Sequence, residues 1–246
     1  MQLFYAPQIT QNNFVLDEVE SRHCIQVLRR SIGDTLQIVD GVGGMYKAII
    51  TNPHPKKCAF SIEESLVYPT KPYQIHIAIA PTKNINRFEW FLEKTTEIGV
   101  TQITPLLTQR SERKKLRADR LQKILITAMK QSAKAHLPQL NDLIPFKKFI
   151  SQKSNELLPS INNSDKPSEE LFKGIAYLND NNPALSKVYT KGRNALILIG
   201  PEGDFSPEET NFALQHGFEG VGLGDSRLRT ETAGIVACHT IHLGNS

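Results

Sequence analysis

The chain has 246 residues, 39% apolar and 22% charged, which supports a sizeable core and excludes a disordered or fibrous protein. Lysine and arginine number 29 against 25 acidic residues, an excess of 29 − 25 = 4 that names no partner by itself. Three separated cysteines, Cys24, Cys58 and Cys238, form no paired motif, which argues against a disulfide framework or a structural zinc and for a reducing compartment.

Residues 1–70 read as a small β-barrel domain. "SRHCIQVLRR" is a short amphipathic helix with Cys24, Val27 and Leu28 on one face and Arg29 and Arg30 at its end. "DTLQIVD" and "MYKAII" flank "GVGG", with Asp40-Gly41 supplying a hairpin signal. "CAFSIEESLV" is a further strand, and short strands punctuated by turns suit a small barrel. The two prolines of "YPTKPY" mark the boundary to a second domain, residues 71–246.

From Gln74 strand and helix alternate. "IHIAIAP" is a strand, and "NRFEWFLEKTTEIG" is a helix with Phe88, Phe91, Leu92, Thr95 and Ile98 on one face. Asn86 and Glu89 have capping-box spacing, Gly99 suits the helix end, and Trp90 reads as core. "VTQITPLL" is the next strand and "ADRLQKILITAMKQSAKA" a long helix, while 155–170 reads as a polar surface connection. "GIAYLND", "ALILIG" and "GVGLGD" are further strands, with helices after the last two. This alternation predicts an α/β fold, a mostly parallel sheet covered by helices.

Two glycine loops follow the last two strands. In "ALILIGPEGDFSPEE" the strand ends at Ile199, Gly200 permits the turn, and Ser206, Pro207 and Glu209 make a capping box with proline at the first helical position. The loop therefore lies at the carboxyl end of a strand, where open α/β sheets bind ligands. Glu202 and Asp204 would repel a phosphate there, so hydroxyls, amino groups or a cationic centre suit it better. An ordinary tight connection, with its acids favouring the adjacent helix dipole, is the alternative. "GVGLGDSRLRTETAGIVACHTIHL" repeats the plan with a Gly224-Asp225 turn and Thr230 as the candidate cap.

These strings carry a resemblance. "IGPEGDFSPEE" followed by "LGDSRLRTETA" resembles the ribosomal RNA uridine-N3 methyltransferases of the RsmE type, in the SPOUT superfamily. "HCIQVLRRSIGDTLQIVDGVGGMYKA" is similar to that family's N-terminal PUA-like barrel, and "FEWFLEKTTEIGVTQITPLLTQRS" and "AMKQSAKAHLPQL" to its middle. The resemblance implies a PUA-like barrel over 1–70 and a SPOUT domain over 71–246, with a parallel sheet, helices on both faces and a trefoil knot. It implies S-adenosylmethionine as cofactor, held by Leu178, Gly200, Pro201, Glu202, Gly203, Leu223, Gly224, Ser226, Leu228 and Arg229. The cofactor has no phosphate and carries ribose hydroxyls, an ammonium and a sulfonium, which accounts for an acidic glycine loop. This chain departs from the family's pattern in having Asp204 where a glycine is usual, Ser226 before Arg227, and Lys134 where arginine is common.

Residues 110–123, "RSERKKLRADRLQK", form the most basic stretch, continued by Lys130 and Lys134. A solvated helix face is the plain reading, and an RNA phosphate track the favoured one. Candidate RNA contacts are Arg29, Arg30, Arg110, Arg113, Lys114 and Lys134. The seven histidines show no metal-ligand spacing, so no metal is expected.

The implied reaction is methyl transfer to N3 of a uridine in 16S ribosomal RNA, on the assembled small subunit, by a cytoplasmic homodimer. Uridine N3 is a weakly acidic imide, so its proton must leave or its charge be stabilised. Arg229 or Arg227 can stabilise the charge, and Glu231 or Glu202 accept the proton; Arg229 and Glu231 are the catalytic candidates, although Glu231 equally suits a helix N-terminus. Another SPOUT RNA methyltransferase, for example one acting on a ribose 2′-hydroxyl, and a non-catalytic RNA-binding protein are the alternatives.

Overall fold

The computed structural model describes residues 2–153 and 171–246, so the connection expected over 155–170 lies outside the described residues. The chain divides into two compact units, Met1–Lys71 with Leu125–Leu137, and Pro72–Ile124 with Pro138–Ser246.

The first unit holds β1 (Leu3–Tyr5), β2 (Thr35–Val39), β3 (Gly44–Asn52) and β4 (Ala59–Val67), hydrogen-bonded in that order. β1 runs parallel to β2, and the other neighbours are antiparallel. The β2–β3 hairpin is pinned by Asp40, whose Oδ1 accepts from the Val42 and Gly44 amides and whose Oδ2 accepts from the Tyr46 hydroxyl. Phe4, Leu16, Cys24, Leu36, Ile38, Ile50 and Phe60 form the core. Helix α1 (Glu18–Arg22), capped by Asp17, runs into a π-helical turn, His23–Val27. There the Leu28 amide bonds back to the His23 carbonyl, five residues away. The wider turn rotates the following side chains, so Val27 is 64% exposed instead of sharing the buried face of Cys24.

The second unit contains β5 (Ile75–Ile79), β6 (Gln102–Leu107), β7 (Gln139–Leu140), β8 (Ile144–Pro145), β9 (Phe172–Ala176), β10 (Ala195–Ile199) and β11 (Glu219–Val221). The order is β11-β9-β10-β5-β6-β7, with β8 also on β6, and the strand pairs are parallel. The helices are α2 (Ile85–Ile98), α3 (Ala118–Gln131), α4 (Phe146–Lys153), α5 (Leu185–Val188), α6 (Pro207–Gln215) and α7 (Thr230–Gly244); α3 residues from Leu125 onward group with the first unit.

Both faces of the sheet are covered, which is why β5 and β10 read as continuous apolar runs. Ala78, Leu196 and Leu198 join Phe146, Phe149 and Ile150 of α4 and Ala213 of α6 in one cluster. On the other face α7 packs against β5, β10 and α2. Gly234 lets the helices approach: a Cβ there would lie 2.5 Å from Cε2 of Phe91 and 3.0 Å from Cδ1 of Ile79.

Helix α2 is capped by Asn84, which accepts from the Asn86 amide, and ends at Gly99 in the left-handed region (φ 114°). The expected Asn86–Glu89 box does not form, because the cap lies two residues earlier and Asn86 is already helical; Glu89 pairs with Arg120 at 2.6 Å. Trp90 is 45% exposed, not core, since it lies about 200° around the helix from the buried Phe88.

Candidate active site

Strands β9, β10 and β11 end side by side, and their following loops enclose a cavity of about 580 Å³. This lies within the size range of small-molecule sites and at the carboxyl edge of the parallel strands. Local sequence fixes each wall. After the apolar "ALILI" of β10, the chain turns at Gly200 and enters α6 through a capping box, with Ser206 accepting from the Glu209 amide and Glu209 from the Ser206 amide. After β11 the turn needs Gly224, whose φ of 119° disfavours any side chain. Helix α7 begins with Arg229 as its cap and Thr230 already helical, so the expected threonine cap is not formed.

Leu178, Gly200, Pro201, Glu202, Leu223, Gly224, Ser226, Leu228 and Arg229 all border the cavity, as does Arg227. Gly203 does not; it faces away, its carbonyl accepting from Arg110 Nη1 at 2.6 Å. The loop after β9 supplies a wall of which the sequence pattern marked only Leu178: Tyr177, Asn179, Asp180 and Asn182 line it. This loop has no glycine signature, and Asn182 shapes it by donating to the Tyr177 carbonyl.

The two acids of the glycine loop hold the loop itself. Glu202 Oε1 accepts from the Lys83 amide at 2.9 Å, tying the loop after β10 to the loop after β5. Asp204 adopts φ 60°, in the left-handed region that favours glycine. Its Oδ1 accepts from its neighbour Phe205 and its Oδ2 from the Leu178 amide at 3.1 Å.

The segment after β6 braces the same region. Besides Gly203, Arg110 reaches the Phe205 carbonyl at 3.4 Å. Arg113 donates to the carbonyls of Thr82 and Lys83 at 3.1 and 2.6 Å. Glu209 Oε1 accepts from the Gln109 amide at 2.8 Å, so one buried carboxylate serves both the helix cap and this segment. Lys83 pairs with Glu112 at 2.8 Å, and that hydrogen bond raises the lysine's pKa. At the start of α6, hydrogen bonds from its own amide and from Ser206 hold Glu208 below the usual carboxylate range.

Glu231 does not border the cavity. It is 4% exposed in the first turn of α7, with Oε1 3.8 Å from Nε of Arg87. The basic residues divide similarly. Arg120 pairs with Glu89, and Lys130 pairs with the buried Glu20 at 2.5 Å, so these two serve the fold. Arg29 and Arg30 are exposed, Arg29 at φ 54°; Lys114, Lys115 and Arg117 are exposed; Lys134 is half-buried.

A family model described as RNA methyltransferase domain matches residues 69–242, and one described as RNA methyltransferase PUA domain matches 16–63. The chain belongs to the RNA methyltransferase domain family. It is similar to a solved probable rRNA-methyltransferase from Porphyromonas gingivalis, with 42% identity, a TM-score of 0.85, and coverage of 100% of this chain and 98% of that one. It is also similar to the solved Ribosomal RNA small subunit methyltransferase E from Neisseria gonorrhoeae bound to S-adenosyl methionine, with 25% identity, a TM-score of 0.80, and coverage of 99% and 97%. The protein of that name from Synechocystis sp. is 29% identical, over 98% of this chain and 77% of its own length. In this methyltransferase the cavity suits a nucleoside cofactor without phosphate. Ile199, Val221, Leu228 and Ala233 offer apolar surface, and four acidic residues (Asp180, Glu202, Asp204, Asp225) and two arginines, Arg227 and Arg229, are among its lining.

Proposed function

We propose that this methyltransferase binds S-adenosylmethionine in the cavity beyond β9, β10 and β11 and methylates N3 of a uridine in 16S ribosomal RNA on the assembled small subunit. The observation that carries the reading is the cavity itself: three loops at one sheet edge, acidic in balance, with glycine backbone and apolar walls that suit a nucleoside. The names of the similar proteins support the ribosomal RNA substrate.

When bound, the cofactor supplies a methyl group already activated on a sulfonium. The chain's task is to orient and to manage charge. Backbone at Gly200, Leu223 and Gly224 would hold the adenosine, with Ile199, Val221 and Leu228 as apolar walls. Arg229, with Arg227 beside it, is the proposed charge stabiliser for the uracil oxygen as N3 loses its proton. Glu231 is proposed as a positioning group for the first turn of α7, since its carboxylate faces Arg87 and not the cavity. Glu202 and Asp204 are proposed to act by shaping the loop, as both already accept backbone amides. The target base must be unpaired to present N3.

The same proposal covers a PUA-like RNA-binding domain over 1–70 with Arg29, Arg30 and Lys134, a methyltransferase domain over 71–246 with RNA contacts from Lys114, and a cytoplasmic homodimer. It covers the trefoil knot as well, on the strength of the family resemblance.

Transfer of labelled methyl from S-adenosylmethionine to unmodified small subunits, followed by nucleoside mass spectrometry, tests the reading. Label in 3-methyluridine is expected. Label in a 2′-O-methylated nucleoside would move the target, and absence of both label and cofactor binding would leave an RNA-binding protein.

A further inference from the structure

Beyond the paired ends of β9 and β10, at Ala176 and Ile199, the two chains separate to form opposite walls of the cavity. The wall after β9 is anchored on the core at Tyr177, but the next side chain, Leu178, is 62% exposed and holds nothing beyond it. Its internal bonds, Asn182 to the Tyr177 carbonyl and the Asn181 amide to Asn179, are local. Its far end is tied to the loop after β11 through the Gly222 amide and Pro183 carbonyl. Between its near end and the loop after β10, the described residues place the Asp204 carboxylate on the Leu178 amide.

We infer that Asp204 is a positioning residue that latches the loop after β9 to the loop after β10, setting the width of the cavity before any ligand enters. The inference rests on the reading of this cavity as the cofactor site. Two features make the latch work. A carboxylate accepting an amide is a charge-assisted bond, stronger than a neutral one. The left-handed conformation at φ 60° aims that carboxylate across the gap, and aspartate is among the few side chains that tolerate it. Glycine would adopt the same backbone with equal ease but has nothing to reach Leu178, so this chain exchanges a freely turning loop for a pinned one.

Asp204→Gly keeps the backbone conformation and removes both acceptor oxygens; Asp204→Asn keeps the backbone conformation but leaves one neutral acceptor oxygen for the two amides of Phe205 and Leu178. Amide hydrogen exchange at Leu178, measured by NMR on the ligand-free protein, reads the latch without any cofactor. Exchange about tenfold faster in Asp204→Gly is expected, the factor that one such bond carries, with Asp204→Asn between the two because it keeps one neutral acceptor. Calorimetry with S-adenosylhomocysteine should follow the same order, with affinity about tenfold weaker in Asp204→Gly and partly recovered in Asp204→Asn. Unchanged Leu178 exchange in Asp204→Gly overturns the latch, and so does equal weakening by both variants with exchange unaltered, which would mark a direct ligand contact. If wild type binds no S-adenosylhomocysteine, the reading of the cavity fails, while the exchange experiment still decides the latch.

Discussion

Replacing Arg110 with glutamine separates two roles that the same residue can hold. As a phosphate contact, Arg110 would matter only when RNA is present. As a brace, it fixes the carbonyl of Gly203 on the outer side of the loop whose inner side borders the cavity. Its 2.6 Å bond to Gly203 is short and charge-assisted, whereas the 3.4 Å approach to Phe205 is too long to add much. Hydrogen bonds to charged groups contribute about 1.5–3 kcal/mol when shielded. Arg110 is solvent-exposed, so water competes and about 1 kcal/mol is the appropriate figure. If the loop must be ordered to bind, that loss appears as roughly fivefold weaker binding of S-adenosylhomocysteine. Calorimetry in the absence of RNA measures it directly. Arg110→Lys should recover only part, because an ammonium lacks the planar fork. Cofactor affinity unchanged by Arg110→Gln, with RNA affinity reduced, would refute the brace.

Three further outcomes follow from the packing and charges. Gly234→Ala gains helix propensity of about 1 kcal/mol but drives a methyl into Phe91 and Ile79, so a net loss of about 1–2 kcal/mol is expected in urea unfolding. Burial outweighs the attraction of Lys130 and raises the pKa of Glu20 above the ordinary 4.5. Its contribution is therefore fully present below that ordinary value and is lost as pH rises through the raised one, so wild type should gain stability relative to Glu20→Gln between neutral pH and about pH 4.5. A flat difference across that window, read from melts at matched ionic strength, would contradict this assignment. Replacing Lys114 and Lys115 together with alanine should weaken RNA binding uniformly across sequences and leave cofactor affinity unchanged. The salt slope should fall by about one for each phosphate that is no longer neutralised.

Much of the second unit was legible because its strands are buried on both faces and its helices carry matching stripes. "ALILI" and "IHIAI" are the two innermost strands, and the Ser206–Glu209 box marks the start of α6 to the residue. The glycine loops were legible as loops at the carboxyl edge of the sheet, where they border the cavity, but the work of their acids was not. The partners of Glu202 and Asp204 are the amides of Lys83 and Leu178, 119 and 26 residues away, and a backbone amide leaves no trace in composition. The carbonyl partners of Arg110 and Arg113 were hidden for the same reason, since carbonyl acceptors are invisible to a reading of charge. Val27 was misplaced because a π turn breaks the 3.6-residue period on which its assignment relied. The wall after β9 offers polar residues without turn chemistry of a familiar kind, so only the resemblance drew attention to Leu178.

The strand order also governs when the protein can become itself. β5 lies beside β10, and a bond such as Gln74 to Asn194 closes a loop of 120 residues. During synthesis β5 must wait, with one edge unpaired, until nearly four-fifths of the chain has left the ribosome. The cavity waits longer, because its lining runs from Ala176 to Ala233. No cofactor can template the early steps, and the first strands of the sheet must instead be sheltered by α2 and β6, the neighbours that follow β5 directly. An enzyme proposed to finish ribosomes thus depends, at its own birth, on early neighbours that hold its first strand until a distant one leaves the ribosome.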